Sequence, residues 1–504
     1  MSIVYSDARP QSAYNNVDEE NRIGLDVKSK DTYDLTVTEL CDLPRTVSDD
    51  SFMGESFEAF LSRQVSMIPL PELSESKSAF TNFRYQVYTV YHRIFSIVFV
   101  ANMIPFGIIA ANHRTTKALL TAAAVNLVVC GMARLPYVIN TLYTLTCLIP
   151  RSAPLFLRRR LAKISHYGGI HSGTGVASFC WYLAYVAVLT RDYTTSSAPL
   201  QPTISVLVLS YLVLILLGGM IIAAYPALRF AKHDTFEFVH RFSSWLLIVL
   251  FWSTYLKASH DIVEVTDERL GSLIVKDAPF WLAIILTCSL ISPWLTLRRV
   301  PVKPEHLSTH AVRLHLDYAK TKLSQGIAVS RHPLRDWHAF AAIPEQDGNG
   351  FSLVVSKAGD WTSRCIQSPP TKLWKRAIPT YGFGRVTSIF HRCVVIATGS
   401  GVGPSLSLLS FAERPPLRFI WQTRNPRKTY GERILREVSQ LDPNAIVIDS
   451  DRHGRRDMLP MAYSLAMEMG AEAVFVVSNP MVTRHLVYGL EARGVAAYGA
   501  LFDS

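Results

Sequence analysis

Six long apolar stretches in the first 300 residues constrain the fold of this chain more than any other feature. They cover roughly residues 94–111, 118–149, 168–189, 204–225, 236–256 and 279–297. A helix needs about 20 mostly apolar residues to cross a bilayer, and each stretch is near or above that length. The sequence therefore predicts a membrane α-helical bundle of six helices within residues 91–300. Arg134 and Pro136 interrupt the second stretch, which indicates a kink or a run along the membrane interface.

Charge is distributed along the chain as it is in multi-pass membrane proteins. The net charge is +11, but the basic residues gather beside the apolar stretches, at residues 151–163, 229–241 and 298–303, whereas residues 261–277 are acidic. Because basic loops mark the cytosolic side of a membrane protein, we predict that everything after residue 299 faces the cytosol. The pattern indicates a lipid bilayer as the partner of this chain and argues against binding of nucleic acid.

The seven cysteines carry no recognisable metal or disulfide pattern. They are scattered through the chain, and none forms a Cys-x-x-Cys pair. A zinc site and a disulfide framework both need clustered cysteines, so the sequence predicts neither. Buried cysteines commonly act as small apolar side chains, and we expect that role here.

Residues 1–90 differ from the rest of the chain because they are polar and carry charges of both signs. Segments of this composition cannot bury enough apolar surface to fold, so we predict a mostly disordered cytosolic arm. A short helix around residues 57–65 is expected within it. The start of the chain lacks a basic-then-apolar pattern, and no cleaved signal peptide is expected.

Two different strand patterns follow the apolar stretches. Residues 303–392 contain short β-branched or alternating runs separated by Pro, Asp, Gly and Asn turns, which is typical of an antiparallel β-barrel. Residues 393–504 alternate strand and helix patterns, which predicts an α/β domain around a parallel sheet. Its strands are expected at residues 394–397, 417–421, 445–448 and 473–477.

The first strand of the α/β domain runs into a glycine-rich loop. The apolar run that ends at Ala397 is followed by these candidate site residues: Thr398, Gly399, Gly401, Gly403 and Pro404. Glycines allow the backbone to approach a diphosphate, and the N-terminus of the following helix attracts its negative charge. The loop alone is a weak signal of dinucleotide binding, because many tight strand-to-helix turns look the same.

The order of these parts resembles that of a known superfamily. Six membrane helices, an antiparallel barrel and an α/β domain with a glycine loop are similar to the ferric reductase and NADPH oxidase superfamily, over about residues 90–504. Asn425-Pro426, Ser478-Asn479-Pro480 and residues 498–504 look most like its fungal branch of TmpA-type transmembrane flavoproteins. The resemblance implies a ferredoxin–NADP reductase-like module, with FAD in the barrel domain and NADPH or NADH in the α/β domain.

Residues 337–344 look like the flavin motif of that superfamily, which usually reads His-Pro-Phe-Thr. The resemblance implies that His338 contacts FAD and that Phe340 packs on its isoalloxazine ring. Ala341 stands where the motif has a hydroxyl residue, so one hydrogen bond to the ring is missing. Alternatively, the segment is an aromatic strand in the core of the barrel.

Residues 357–364 look like the diphosphate site of the same superfamily. The resemblance implies that Gly359, Thr362 and Ser363 hold the FAD phosphates through backbone amides and hydroxyl groups. Without the neighbouring flavin motif, these residues would indicate only a polar turn.

Other residues are similar to the nicotinamide site of the superfamily. Thr423 and Arg424 end the second strand of the α/β domain, where related residues bind the adenosine ribose or its 2′-phosphate. Arg424, with Arg427 and Lys428 nearby, favours NADPH over NADH, and a solvated basic loop is the alternative. Asp457 lies in a segment that resembles the family's Gly-Arg-Pro-Asp element.

Two residues near the C-terminus match positions that lie close to the reacting rings. Ser478 takes the place of the family's cysteine beside the nicotinamide. Phe502 is the candidate for the terminal aromatic residue that covers the flavin ring until nicotinamide displaces it. The resemblance thus implies catalytic roles for both residues.

Haem binding is the least complete part of the resemblance. The superfamily holds two haems between two histidines on its third helix and two on its fifth. Here His171 and His240 match the first histidine of each pair, which allows one inner haem b, while the second positions lack histidine. The glycines of residues 168–175 leave room either for a macrocycle or for close helix packing.

The leading interpretation is a membrane-bound, NAD(P)H-dependent FAD oxidoreductase whose reductase module faces the cytosol. It would pass hydride from nicotinamide to flavin and then reduce a small, lipophilic acceptor. The fungal branch suggests a role in specialised metabolism or developmental signalling. Two alternatives stay open: a haem-containing transmembrane ferric reductase, and a non-catalytic nucleotide-binding membrane sensor. Ala341 and Ser478 favour the sensor because both depart from the superfamily pattern.

Overall fold

A computed structural model describes most of the chain, namely residues 67–73, 79–80, 82–111, 116–195, 201–266 and 268–500. The helix expected around residues 57–65 and the predicted catalytic residue Phe502 lie outside this part. The described chain consists of a helical half, residues 83–291, followed by a sheet half, residues 298–499.

Helices that are apolar on most sides form the first half. Large apolar side chains such as Ile97, Ile215 and Val249 are exposed on their outer faces, as expected where lipid surrounds a helix. A π-helical turn, Phe83–Val87, precedes the first helix, and a 3₁₀ turn, Ala162–Tyr167, joins the fourth to the fifth. The α-helices of the described residues are α1 Val90–Ala111, α2 Thr116–Met132, α3 Pro136–Thr146, α4 Leu155–Leu161, α5 Gly168–Thr194, α6 Ile204–Ala223, α7 Pro226–Ala231, α8 His233–Thr266, α9 Leu270–Val275 and α10 Ala278–Ile291.

Four helical segments are long and apolar enough to cross a membrane: Val90–Ile109, Leu155–Thr194, Ile204–Ala223 and His233–Thr266. Helices α2 and α3 together make a fifth candidate, bent by 74° at the break before Pro136. The kink predicted there is therefore confirmed. Helix α10 has 14 residues, which is short of the length that a span needs. A bundle of six spans accordingly stays a prediction.

Two four-stranded antiparallel sheets form the first part of the sheet half. Their strand orders are β1-β8-β4-β5 and β2-β3-β7-β6. The chain passes from one sheet to the other between β1 and β2 and again between β5 and β6, so the sheets are joined at both margins. A closed barrel stays a prediction. The strands are β1 Arg298–Pro301, β2 Lys303–His306, β3 Ala311–Leu316, β4 Gln325–Ser330, β5 His338–Ala341, β6 Ile343–Pro344, β7 Phe351–Ser356 and β8 Lys372–Tyr381, with helix α11, Asp360–Gln367, before β8.

A five-stranded parallel sheet with helices between its strands forms the second part of the sheet half. Its order is β11-β10-β9-β12-β13. The predicted strands are all present, and β13 adds an edge strand too short to show a pattern in the sequence. The elements are β9 Cys393–Thr398, α12 Val402–Leu409, β10 Leu417–Thr423, α13 Pro426–Leu441, β11 Ile446–Asp449, α14 Ser450–His453, α15 Leu459–Glu468, β12 Ala473–Val477, α16 Pro480–Glu491 and β13 Ala497–Gly499.

One hydrophobic cluster extends across both halves of the protein. From the helical half it contains Ile139 and Tyr143 of α3, and from the parallel sheet it contains Val395 and Phe475. The side-chain amide of Asn140 adds a polar contact, because it donates to Pro379 O (2.9 Å) and accepts from the Tyr381 amide (2.8 Å). Helix α3 is therefore packed directly on the sheet half.

A buried ion pair lies beside this cluster. The guanidinium of Arg158, a residue only 4% exposed, donates two hydrogen bonds to the Glu472 carboxylate, at 2.6 and 2.8 Å. Burial alone would raise the pKa of Glu472, but hydrogen bonds from Arg158 and the His391 amide outweigh it and lower that pKa. The positive charge of Arg158 is thus neutralised by Glu472, in the loop that leads into β12.

The end of the predicted arm is also in contact with the parallel sheet domain. The Ile68 amide donates to Ser464 Oγ (2.8 Å), and Arg493 Nε donates to Pro71 O (3.0 Å). Leu70 packs against the apolar cluster beneath α15 and α16. Residues 67–73 are therefore docked on the domain, although the sequence placed them in a mostly disordered arm.

We expect Glu472→Gln to weaken the attachment of the two halves. The substitution removes the negative charge and leaves Arg158 buried without a counter-ion. Because the carboxylate is partly exposed, we expect the free energy of unfolding to fall by about 2–3 kcal/mol. Thermal unfolding of the full chain in detergent, followed by tryptophan fluorescence, should show a lower unfolding temperature.

Asp317→Asn is the matched control for this carboxyl-to-amide change. Asp317 pairs with Lys303 at 4.0 Å, and both side chains are more than half exposed. Exposed pairs contribute about 0–1 kcal/mol, so the unfolding temperature should hardly move. Equal effects of the two substitutions would contradict a structural role for the Arg158 pair.

Candidate functional site

The glycine loop forms the tight turn that its sequence predicts. Strand β9 ends at Thr398, a single 3₁₀ turn covers Gly399–Gly401, and α12 follows at once. Gly399 has a φ of 48°, which favours glycine. A Cβ on Gly401 would lie 2.3 Å from Val477 O, so only glycine lets the loop pack on β12. The loop is therefore fixed against the neighbouring strand.

The loop lies where the order of the parallel sheet changes direction. Strands β10 and β11 follow β9 on one side, and β12 and β13 lie on its other side. Ligands of open α/β sheets bind in the crevice at such a point, at the carboxyl ends of the strands. Thr398 and Ser478 both lie there, and their hydroxyl oxygens are 2.5 Å apart. The structure thus brings these two predicted residues together.

Helix α12, which follows the loop, contacts the antiparallel sheets. Ser407 of α12 donates to Ala342 O (2.6 Å), directly after the predicted flavin residue Ala341. A Cβ added to Gly403 would be 3.7 Å from Val354 O, an ordinary contact distance. Pro404 is half-buried in the same helix. The predicted nucleotide loop and the predicted flavin strand are accordingly next to each other.

The flavin strand β5 is an edge strand and carries a cluster of aromatic side chains. The rings of His338 and Phe340 lie 4.3 and 5.8 Å from the ring of Trp361, measured between centroids. Asp336 accepts a hydrogen bond from His338 Nε2 at 3.2 Å. The half-buried rings of His338 and Phe340 suit a planar cofactor. Trp361 was not assigned a role from the sequence, although it lies between Gly359 and Thr362.

The predicted diphosphate residues differ in what their polar groups contact. The hydroxyl oxygen of Thr362 accepts hydrogen bonds from the amides of Ala358 and Gly359, at 2.8 and 2.9 Å. Thr362 is buried, so its hydroxyl stabilises the start of α11 and is not free for a phosphate. The Ser363 side chain has no partner among the described residues and is half-buried. It is the better phosphate candidate of the two.

The predicted ribose and 2′-phosphate residues lie at the end of β10. Thr423 is buried, whereas the Arg424 side chain is exposed and has no partner in the described part of the chain. Arg427 is paired with Glu432, so it is not available as a second cation. The Gln422 side chain instead accepts from the Arg456 amide (2.8 Å), which holds another exposed arginine close by.

Asp457 has a structural contact in this region. Its carboxylate accepts a hydrogen bond from the Leu459 amide (3.0 Å) and lies 3.1 Å from His485 Nε2. It therefore caps the turn before α15 and joins that turn to α16. Arg456, directly before Asp457, belongs to the same sequence motif, but the sequence did not predict it as a ligand.

The two predicted haem ligands face each other across the helical half. The His171 and His240 rings are 6.1 Å apart between centroids and tilted by 59°. His171 Nδ1 lies 2.9 Å from Cys130 O, a contact that fixes a ligating histidine when Nδ1 donates. The structure thus brings these two predicted ligands close together.

The glycines near His171 are explained by helix packing. A Cβ on Gly169 would lie 2.6 Å from Tyr91 O, and one on Gly173 would lie 3.1 Å from Phe95 O. Helix α1 therefore fills the surface that these glycines open. On this face the structure supports the packing explanation and leaves no space for a macrocycle.

Comparison with known sequences identifies two relatives from the fungus Coprinopsis cinerea. The chain is 41% identical over 424 residues to adenylate-forming reductase 03009, a match of 84% of this chain and 41% of the relative. It is 38% identical over 437 residues to adenylate-forming reductase 06235, with 86% and 42% covered. Residues 383–504 match the family model described as the C-terminal domain of adenylate-forming reductase 03009. The chain spans less than half the length of the curated relatives it matches.

Comparison with solved structures also finds similar chains. Flavohemoglobin from Malassezia yamatoensis with bound FAD and heme aligns with 77% of this chain and 99% of its own, at 13% identity and a TM-score of 0.35. Ferredoxin-NADP+ reductase from Plasmodium falciparum with 2'P-AMP aligns with 40% of this chain and 96% of its own, at 12% identity and a TM-score of 0.30. A cytochrome P450 reductase from Amycolatopsis aligns with 41% of this chain and 71% of its own, at 11% identity and a TM-score of 0.32.

Gly401→Ala should destabilise the nucleotide loop. The added methyl would overlap the backbone oxygen of Val477, which cannot turn away as a side chain can. The overlap forces the loop off β12 at a cost of about 2–3 kcal/mol. Thermal unfolding of the full chain should therefore begin at a lower temperature.

Gly403→Ala is the control within the same loop. Its methyl would meet Val354 at an ordinary contact distance, and alanine favours a helix over glycine by about 1 kcal/mol. We expect unchanged or slightly higher stability. If both variants unfold like the unmodified chain, the close packing of the loop on β12 is wrong.

Proposed function

We propose that this chain is a membrane-bound, NAD(P)H-dependent FAD oxidoreductase that passes hydride from nicotinamide to flavin and then reduces a small, lipophilic acceptor. One observation carries the proposal. Helix α12, which follows the glycine loop at the turning point of the parallel sheet, contacts the segment just after the flavin-motif strand, because Ser407 donates to Ala342 O. Nucleotide and flavin sites on adjoining surfaces are what hydride transfer between two cofactors needs.

The residues on each side of this contact have separate tasks. Backbone amides of the loop from Gly399 to Gly403 bind the nucleotide diphosphate at the start of α12. The paired hydroxyls of Thr398 and Ser478 position the nicotinamide carboxamide at the carboxyl ends of β9 and β12. Thr398 is partly buried and Ser478 is fully buried, so this position is shielded from water during hydride transfer.

On the flavin side, His338 and Phe340 support the ring system, and Ser363 with the start of α11 contacts the phosphates. The bound FAD supplies the ability to accept hydride and to release electrons one or two at a time. The protein contributes orientation, through the rigid aromatic cluster that Trp361 completes. Phe502 is proposed to cover the flavin ring before nicotinamide binds.

The relatives support an oxidoreductase by name, since both are called reductases. Because the chain matches only 41–42% of their length, their complete activity and substrates do not transfer to it. The long apolar helices support a membrane location for the chain, and we propose that the electron acceptor reaches the sheet half from the membrane. We propose that NADPH is preferred, because Arg424 is exposed and without a partner among the described residues.

A haem-containing transmembrane ferric reductase is the second candidate. The close approach of the His171 and His240 rings, 6.1 Å between centroids, favours it. The packing of α1 against Gly169 and Gly173 weighs against a macrocycle on that side. The proposed flavin reductase does not need this haem, because the acceptor can reach the sheet half from the membrane surface.

The first test combines a visible spectrum with rapid mixing. Purified full chain loaded with FAD should show flavin absorption that bleaches when NADPH is added without oxygen. A flavin that stays oxidised contradicts the enzyme and supports the nucleotide-binding sensor. A Soret band that shifts on reduction would favour the ferric reductase.

The second test concerns the choice of nucleotide. Arg424→Ala should raise the KM for NADPH about tenfold, which corresponds to the loss of one charged hydrogen bond of roughly 1.4 kcal/mol. The KM for NADH should change less than twofold. Steady-state reduction of an artificial acceptor measures both constants.

Arg427→Ala is the matched control, because Arg427 lies in the same loop but is paired with Glu432. It should leave the ratio of the two KM values unchanged. Equal loss with NADPH and NADH in the Arg424 variant would show that Arg424 does not bind a 2′-phosphate.

A further inference from the structure

An apolar cavity lies in the helical half next to the predicted flavin strand. It has a volume of about 310 Å³ and is partly open. Its walls come from α8 and from α10 with the turn after it, and they are lined by Trp245, Ile248, Thr287, Leu290, Ile291 and Trp294. This volume is at the lower end of the range for small-molecule sites. None of the predicted cofactor residues lines it.

A guanidinium group lies against the ring of Trp294, one of the residues that line the cavity. Arg376 of β8 lies 4.8 Å from the centroid of the Trp294 ring and 4.4 Å from that of Trp337. The two tryptophan rings are 6.2 Å apart and nearly perpendicular. Arg376 is thus held between the cavity wall and the residue that precedes the flavin motif.

The charge of Arg376 lacks a counter-ion within the described residues. No described carboxylate lies within ion-pairing distance, and the nearby Glu237 is already paired with Arg241. Burial, together with the nearby positive charge of Arg241, lowers the pKa of Arg376 to about 10. The negative charge of Glu237 acts in the opposite direction. The group still carries a full positive charge at neutral pH. Partly buried cations of this kind are normally paired.

The backbone holds Arg376 in place by an unusual conformation. Ala377 has a φ of 60°, which is uncommon for a residue with a side chain. The pairing of β4 with β8 shifts register at this point, and the Ala377 amide donates to Pro293 O (3.0 Å). Bulges of this type redirect side chains and are common beside functional sites. The bulge directs Arg376 toward the tryptophans.

From the apolar cavity, the uncompensated cation and the strained bulge, we infer that this region binds a single-chain amphiphile with a carboxylate head, of the fatty-acid class. The hydrocarbon chain occupies the cavity between α8 and α10, and the carboxylate pairs with Arg376. A guanidinium matches the two oxygens of a carboxylate in geometry as well as charge. This inference does not rest on the proposed redox function.

The dimensions favour one acyl chain over a phospholipid. The cavity is small for two chains, and its lining is almost entirely apolar apart from Thr287, whose hydroxyl donates to Ala283 O (2.7 Å). The bound carboxylate would contact Arg376, whose guanidinium also lies against Trp337, the residue directly before His338. A bound carboxylate would therefore stiffen the strand that carries the flavin motif.

Equilibrium binding to the full chain in phosphatidylcholine nanodiscs tests the site with two radiolabelled probes, oleate and oleyl alcohol. Oleate should bind at one site per chain. Arg376→Gln should weaken oleate binding by about tenfold or more. A tenfold loss corresponds to about 1.4 kcal/mol, as expected when one charged contact is removed. Binding of oleyl alcohol, which has the same chain and no charge, should change less than twofold. Ile248→Trp should weaken both probes by filling the cavity.

Arg299→Gln is the matched control, because Arg299 is exposed on the neighbouring strand β1 and should leave oleate binding unchanged. Arg376→Lys keeps the charge and should retain part of the preference for oleate, which tests the site if the glutamine variant unfolds. Equal loss of both probes in Arg376→Gln, or no loss of oleate, overturns the inference. Displacement of oleate by a lower concentration of dioleoyl phosphatidic acid would assign the site to a phospholipid and overturn the fatty-acid class.

Discussion

The buried charge of Arg158 is the constraint on which the arrangement of the two halves depends. A guanidinium that is 4% exposed is stable only with a counter-ion, and Glu472 supplies it from the other half of the chain. The same guanidinium donates to Ile389 O (3.0 Å). Since the apolar cluster beside it also draws on both halves, helices and sheets fold as one body at this contact. The predicted nucleotide site is held at a fixed position under the helices as a result.

Local patterns explain what the sequence could predict. The four strands β9 to β12 of the parallel sheet are short, mostly apolar runs that are buried on both faces, so their positions could be predicted to within about two residues. The contact between Thr398 and Ser478 was also predictable, because both follow strands whose carboxyl ends meet at one edge. The kink before Pro136 follows from the chemistry of proline. Each of these features depends on residues that are close in sequence or on a general rule of sheet topology.

Contacts between distant segments could not be predicted in the same way. Nothing near Arg158 in sequence indicates Glu472 as its partner, since the two are separated by most of the chain. Trp361 looked like part of a polar turn until the fold placed its ring against His338 and Phe340. The Thr362 hydroxyl matched a phosphate ligand in type, but it is used by its own helix start. A residue type at the right spacing therefore does not establish that its polar group is free.

The bulge at Ala377 has a mechanical consequence. Strand β8 pairs with β4, which pairs with the flavin strand β5, and the same stretch of β8 is fastened to the helices by Pro293 and Asn140. A sheet transmits displacement well along its hydrogen-bonded rows, because the strands cannot slide without breaking register. A tilt of α3 relative to α10 would accordingly shear the sheet at its flavin edge. A movement of the helical half is thus transmitted through β8 to the sheet half of this protein.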